Sequence, residues 1–397
     1  MLKRAVRQAS KAASFAEASD DLRELADISI SPAHLERLSE RIGSEWAQQR
    51  DQDVAAFRAR KLPSAVVQTA PVAAVMLDGG RVQIRADESP RGVHDPEWRE
   101  TKVACCTSLS SRVHAADPQP EPPSKLLDPP QVVRLAAELS MRGCPGATAK
   151  RGCTARSDKK RRKHKRRRAK TKRVRTVVAT MLDSDSFGWQ VAAEVQRRDL
   201  NRAPRKACVC DGQKYNWSIF DLHFLPLGFV PILDFLHLIV YLYAASHAAW
   251  KKGSVAAWKQ YERWVRWAWS GNVDRLLAAL EAASKRLGPA PPHAREDDPR
   301  AIVASARQYV ANNRARMDYP RYRCLGLPTS SAPVESVIKQ LNRRVKGSEK
   351  FWLRSGAENI LQVRAAYLSE DERTERLWSA PRPHRRAAGQ HRLRPAA

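Results

Sequence analysis

The chain has 397 residues, enough for two or three domains and a sizeable core, and 43% of them are hydrophobic, as in an ordinary globular protein. Its charge is not ordinary: 71 Lys and Arg against 42 Asp and Glu leave a formal net charge of +29, which points to a polyanionic partner, a nucleic acid or a membrane surface. Seven scattered cysteines, an odd number, argue against a disulfide framework, and Cys105-Cys106, Cys208-x-Cys210 and the pair Cys144 and Cys153 lack the paired spacing of a zinc site.

Residues 1–62 read as helical. Leu22, Leu25, Ala26 and Ile28 lead to Ser29-Ile30-Ser31-Pro32, and Leu35, Leu38, Ile42 and Trp46 follow at spacings of three or four. Ser31 is placed to cap and Pro32 to open the next helix, so a helix-turn-helix is expected, or else a helical hairpin that only packs. His34, Glu36, Arg37, Glu40 and Arg41 give its polar side a mixed charge, which argues against strong DNA contact by this helix alone. Met1-Leu2-Lys3-Arg4 is followed by no apolar stretch, so no secretory signal is expected and the protein is placed in the cytoplasm.

From residue 64 the period changes to that of strands. Val66-Val67 and Ala73 to Leu77 favour strand, and Arg81 to Arg85 alternates polar and apolar. Between them Asp78-Gly79-Gly80 reads as the turn of an antiparallel meander, continued by a strand from Trp98 to Cys106. Residues 115–130 are proline-rich and read as loop, and Val132 to Met141 as a short helix. From Lys159 to Arg175, thirteen of seventeen residues are Lys or Arg, among them Lys159, Lys160, Arg161, Arg162, Arg166 and Arg167. Such a block repels itself and cannot pack, which suits a phosphate-binding arm or a solubilising insert.

Order resumes with a strand from Arg175 to Met181, a helix from Phe187 to Arg198, and a strand from Ala207 to Cys210 that stops in Asp211-Gly212. Phe224 to Trp250 is long and apolar, but Asp234, His237 and His247 interrupt it and Pro226 and Pro231 break its start. An ionised Asp at mid-bilayer costs roughly 2.5–3.5 kcal/mol even on the lenient scale. A buried strand from Phe229 to Leu233 running into a buried helix at Asp234 is expected instead of a membrane span. Trp250 to Tyr322 reads as helical, with a Pro-rich break from Gly288 to Pro299. Trp264 and Trp267 share a helical face there, suited to the core or to stacking on bases. Pro333 to Lys339 opens another helix, with Ser331 available to cap it.

Asp78 and Asp211 at two strand ends, with Glu335 on a later helix, is how a protein builds a hard-oxygen cage for divalent cations. Two such ions, Mg²⁺ or Mn²⁺, can activate a hydroxyl nucleophile and stabilise the leaving oxygen of a phosphodiester. On the helix of Glu335, Lys339, Asn342 and Lys346 share its face, and with Arg343 they are candidates for holding DNA phosphates. Glu349 and Glu358 are further candidates for the role of Glu335. Asp234 and His237 lie one helical turn apart and either satisfy each other in the core or serve as an outer-layer pair or an extra ligand. Glu100 is a candidate for an outer-layer role or a DNA contact.

These runs resemble DDE transposases of bacterial insertion sequences, in the Kra-type group related to the Mutator elements. The resemblance is carried by Leu77-Asp78-Gly79-Gly80-Arg81-Val82-Gln83-Ile84-Arg85, Trp98-Arg99-Glu100-x-Lys102, Cys210-Asp211-Gly212-Gln213, Ile232-Leu233-Asp234-Phe235-Leu236-His237 and Asn312-Asn313-x-x-Arg316-Met317-Asp318-Tyr319. The longest run goes from Gly326-Leu327-Pro328 through Glu335-Ser336-Val337-Ile338-Lys339 to Lys346-Gly347-Ser348-Glu349-Lys350-Phe351-Trp352. It implies an α/β fold with a ribonuclease H-like mixed-sheet core, with Asp78, Asp211 and Glu335 as the metal-binding triad and Asp234-x-x-His237 as the Asp-x-x-His motif of the Mutator branch. It implies cleavage at transposon ends and strand transfer into target DNA, by a homo-oligomer assembled on DNA.

The expected organisation is a helical, helix-turn-helix-like DNA-binding segment (1–62), a first part of the core with its Pro-rich and polybasic insert (63–249, insert 115–175), a Trp-rich helical insertion (250–325), the remainder of the core (326–370) and a basic disordered tail (371–397). The N-terminal region is short for this family, and the tail after Arg376 is not a family feature. Two rivals stand beside it: a ribonuclease H-like nuclease that only hydrolyses, and a non-catalytic basic DNA-binding protein using residues 20–50.

Overall fold

The computed structural model describes residues 1–65, 69–86, 97–140, 174–347 and 349–379. The chain is α/β, with one five-stranded mixed sheet: β1 (Val72–Ile84), β2 (Glu97–Leu109), β3 (Val174–Thr180), β4 (Arg205–Cys210) and β5 (Val230–Leu233). The strand order is β3-β2-β1-β4-β5. β2 is antiparallel to both β1 and β3, whereas β1, β4 and β5 run parallel. Every residue from Val72 to Leu77 is buried, and so are Ala207 to Cys210. Such continuous apolar runs are what central strands covered on both faces require.

The expected turn at Asp78 does not exist. β1 continues through Asp78-Gly79-Gly80 to Ile84, paired throughout with β2, so Asp78 sits in mid-strand opposite Val103. Asp-Gly is a local turn signal, and thirteen residues of β2 in register override it. The glycines serve close packing here: a Cβ on Gly80 would lie 2.9 Å from Thr101 Oγ1. Val66 and Val67, read as strand, lie outside the described residues.

Fourteen α-helices surround the sheet among the described residues. The first three are α1 (Leu2–Lys11), α2 (Phe15–Ala26) and α3 (Pro32–Arg58). Ser31 caps α3 as expected, accepting from His34 N at 3.3 Å with Pro32 in the first turn. The apolar stripe of α3 faces two ways. Leu35 packs with Ala5, Ala9, Ala18 and Leu22 of α1 and α2, and Ile42 and Trp46 pack on Val363 and Ala366 of α13 (Arg354–Leu368).

The helices between are α4 (Pro129–Ser140), α5 (Ser184–Arg197), α6 (Lys214–Ile219), α7 (Phe235–Ala249), α8 (Val255–Trp269), α9 (Val273–Leu287), α10 (Pro299–Asn313), α11 (Tyr319–Cys324) and α12 (Ala332–Val345), and α14 (Arg373–Ser379) ends the described chain. The apolar run from Phe224 divides into β5 and α7, as its polar interruptions require, and no described helix is long and apolar enough to cross a membrane. In α8, Trp264 is fully buried with its ring edge-on to Trp250 at 5.6 Å, while Trp267 is half-buried under the Arg275 guanidinium. The Pro-rich break separates α9 from α10.

An ionic knot fixes α14 to α5. Glu194 pairs with Arg197 at 2.8 Å and with Arg373, and Arg373 also pairs with Asp371. Burial disfavours charge on Glu194, but Arg197 and Arg373 outweigh it and hold the carboxyl well below the usual range. Asp371 is lowered in the same way, with Arg373 overcoming burial. Glu194→Gln leaves Asp371 as the remaining carboxylate for both Arg197 and Arg373 and should cost about 1.5–3 kcal/mol in urea unfolding at pH 7. The sign with pH follows from the depressed values. The stabilisation is present above the unfolded carboxylate value, near ~4, and is lost as pH falls through the folded one. The wild type should therefore lose stability on acidification more steeply than Glu194→Gln, and equal slopes would remove Glu194 from that role.

Candidate metal centre

Strand register brings the acidic residues together. β1 and β4 pair up to Leu77 with Cys210, and β4 and β5 up to Cys210 with Leu233. The next residue on each parallel strand is an Asp: Asp78, Asp211 and Asp234. Neighbouring strands lie about 4.8 Å apart, so three carboxylates line up across the sheet. The first two stay at the centre. Asp78 Oδ1 accepts from Gly79 N at 2.7 Å. Asp211 Oδ1 accepts from Gln213 N at 3.0 Å and Asn216 Nδ2 at 2.9 Å. The chain turns away at Gly212, whose φ of +94° favours glycine and where a Cβ would lie only 2.6 Å from the Tyr309 ring. The Tyr309 hydroxyl donates to the Asp211 carbonyl at 2.7 Å.

Asp234 turns the other way. It caps α7 through Leu236 N, and it also accepts from Ser331 N at 2.9 Å and Ser331 Oγ at 2.6 Å. Ser331 was expected to cap α12; its side chain makes no such bond, because the buried carboxylate across the fold claims the hydroxyl. His237 Nδ1 lies 2.5 Å from Asp234 Oδ2. A carboxylate can only accept, so Nδ1 carries the proton. Nε2 then faces the centre: one ligand atom each from Asp78, Asp211 and His237 lie within 4.8 Å of one another, all three residues buried. Glu335 is in the first turn of α12, its amide bonded to the Ser331 carbonyl, and its Oε1 is 3.9 Å from His237 Nε2.

The electrostatics are those of a crowded anionic site. Burial pushes Asp211 up, opposed by His237. Burial pulls His237 down, but the hydrogen bond to Asp234 and the charges of Asp234, Asp78 and Asp211 raise it to about 10. Burial likewise opposes charge on Asp234, and His237 and Ser331 overcome it and keep the carboxyl low. Four carboxyl groups gather around one imidazole in the interior, and this donor set of hard oxygens and one ring nitrogen fits a divalent cation.

The other candidates fall around this group. Glu100 pairs with Lys102 at 3.2 Å and lies against Gly79 and Tyr215, beside Asp78 and outside the ligand set. On α12, Lys339 is exposed but held by Glu138 of α4 at 2.6 Å, Asn342 lies against Gly80, and Arg343 is exposed. Lys346 follows the last residue of the helix and lies 5.2 Å from the Trp98 ring. Glu358 is elsewhere: it accepts from Met181 N and Thr180 Oγ1 and pairs with Arg50, tying β3 to α3, and so cannot stand in for Glu335. Glu349 sits in the loop against Gly347. Lys159, Lys160, Arg161, Arg162, Arg166 and Arg167 lie outside the described residues. Sequence reasoning passed over Asn216 and Tyr309, both bonded to Asp211; Asn216, five residues after Asp211 on the next helix, was the legible one. A cavity of about 440 Å³ lies elsewhere, lined by Trp46, Leu62, Val177, Gln190 and Glu194. No protein-family model matches the chain, and no curated protein matches it.

Proposed function

We propose that the protein is a DDE-type transposase, which cuts DNA at transposon ends and joins the freed 3′-hydroxyl to target DNA. The observation that carries the proposal is the convergence of Asp78, Asp211 and Glu335 around His237 Nε2 from a mid-sheet strand, an adjacent strand end and a later helix. The strand order supports a ribonuclease H-like core, with three antiparallel strands extended by two parallel ones. The net charge of +29 suits DNA as the polyanion.

Asp78, Asp211 and Glu335 would hold Mg²⁺ or Mn²⁺, two ions in the full site. Bound there, the ions supply activation of the attacking hydroxyl and charge neutralisation at the leaving oxygen. The chain's own work is placement. Asn216 and Gln213 fix one face of Asp211, the Ser331 carbonyl anchors the amide of Glu335, and Lys339, Asn342 and Arg343 of α12, with Lys346 just past its end, would hold phosphates beyond Glu335. No side chain needs to form a covalent intermediate. A homo-oligomer assembled on DNA in the bacterial cytoplasm would bring two ends together.

The test supplies the purified protein with a pre-cut DNA end from the sequence flanking its gene, a target plasmid and Mg²⁺ or Mn²⁺. Covalent joining of end to target is the expected product. Nicking without joining would make the protein a hydrolytic nuclease, and metal-independent DNA binding without either product would leave only a DNA-binding role.

A further inference from the structure

We propose that His237 is a direct nitrogen ligand of one cation, shared with Asp78 and Asp211, that Asp234 is the residue that positions its ring, and that the centre consequently selects Mn²⁺ over Mg²⁺. The proposal rests on the metal-centre part of the proposed function and adds to it the ligand atom and the identity of the ion.

Three observations carry it. First, the ring has no freedom. Asp234 is fully buried and accepts from Leu236 N, Ser331 N, Ser331 Oγ and His237 Nδ1, so its oxygens are fixed by two helices at once. Rotating the imidazole would break the 2.5 Å bond to Nδ1 and leave a carboxylate facing carbon. Second, Nε2 is aimed. A histidine and aspartate that only satisfied each other in the core would need nothing on the far side of the ring. Here that far nitrogen is 3.9 Å from Glu335 Oε1, and a ring nitrogen of His237 lies within 4.8 Å of oxygens from Asp78 and Asp211. A ligating histidine typically donates its other ring N–H to a carboxylate, which fixes the tautomer and raises the basicity of the ligand nitrogen. Third, the register explains the substitution. Asp234 occupies the strand-end position next to Asp211, where a third oxygen ligand belongs, but Ser331 draws its carboxylate aside. His237, one helical turn on, delivers nitrogen in its place.

The consequence is selectivity. Mg²⁺ demands near-ideal octahedral oxygen and releases water reluctantly, so a fixed imidazole suits it poorly. Among cations that carboxylates hold well, Mn²⁺ begins the transition-metal series in which affinity for nitrogen sites rises. His237 thereby makes part of the centre softer than an all-oxygen cage.

The experiment loads the full-length protein with Mn²⁺ in the absence of DNA and reads the bound ion by pulsed electron paramagnetic resonance. A ¹⁴N coupling from a directly bound imidazole is expected, and it should vanish in His237→Gln. Competition between Mn²⁺ and Mg²⁺, followed by calorimetry, should show the Mn²⁺ preference falling in His237→Gln. Asp234→Asn should weaken Mn²⁺ by about 10–100-fold, as loss of such a partner typically does. Absence of nitrogen coupling in the wild type, which needs no variant to fold, would overturn the proposal, as would an unchanged Mn²⁺ to Mg²⁺ ratio in folded His237→Gln. Nitrogen-coupled Mn²⁺ in a protein that joins no DNA would sink the transposase proposal and leave this one standing.

Discussion

Asp78→Asn, Asp211→Asn and Glu335→Gln should each lower the cleavage rate by about 10²–10³-fold or more while leaving DNA binding intact. Loss of a single preorganised group at a reacting centre already costs that much, and here each substitution also removes a charge that holds the ion. The changes are nearly isosteric. An amide oxygen at position 211 can keep the bonds from Gln213 N and Asn216 Nδ2. The fold should survive for a second reason: four carboxylates crowd one imidazole, so removing one negative charge relieves repulsion in the metal-free protein. Its melting temperature should hold or rise, as it often does when a strained functional site is relaxed. The salt dependence of DNA affinity should not move, since phosphate contacts set it. Full cleavage by any one variant would strike that residue from the triad.

The largest expected effect on stability is at Gly43. A Cβ there would sit 2.3 Å from the Asn359 carbonyl oxygen and 2.6 Å from its carbon, so α3 and α13 touch backbone to backbone. Neither helix can give locally, because Ile42 and Trp46 flank the crossing in a buried cluster with Val363 and Ala366. Gly43→Leu should therefore cost about 3 kcal/mol, the upper part of the usual range for overpacking. It should loosen residues 1–62 from the sheet and expose them to limited proteolysis. Gln48→Leu, on the exposed side of the same helix, should change little. A Gly43→Leu protein that melts with the wild type would show that the crossing opens at no cost.

What the sequence discloses about such a centre depends on how local the signal is. The strands from Arg205 and Val230 and the helix capped by Asp234 were legible, because continuous apolar runs end there in polar caps. Asp211 was legible for the same reason. The setting of Asp78 was not: Asp-Gly-Gly looks like a turn in one dimension, and only the full length of β2 shows that the strand goes on. Ser331 likewise carries every mark of a helix cap. Its partner is 97 residues away, so no window on the sequence could reassign it. The spacing of Asp234 and His237 gave their contact, but the direction of Nε2 depends on the register of three parallel strands.

The bonds between Asp234 and Ser331 close a loop of that length, and Phe235 N to the Thr329 carbonyl reinforces it at 3.1 Å. Helices α7 to α11 lie within this loop, like the contents of a bag drawn shut at its neck, and Tyr309 of α10 and Tyr319 of α11 tie them back to the strand ends at Asp211 and Leu233. The entropic cost of such a loop grows slowly, by only about 0.6 kcal/mol for each doubling of its length. The parts of the bag away from Tyr309 and Tyr319 can therefore lengthen, shorten or acquire new surfaces while the neck keeps Glu335 where the centre needs it.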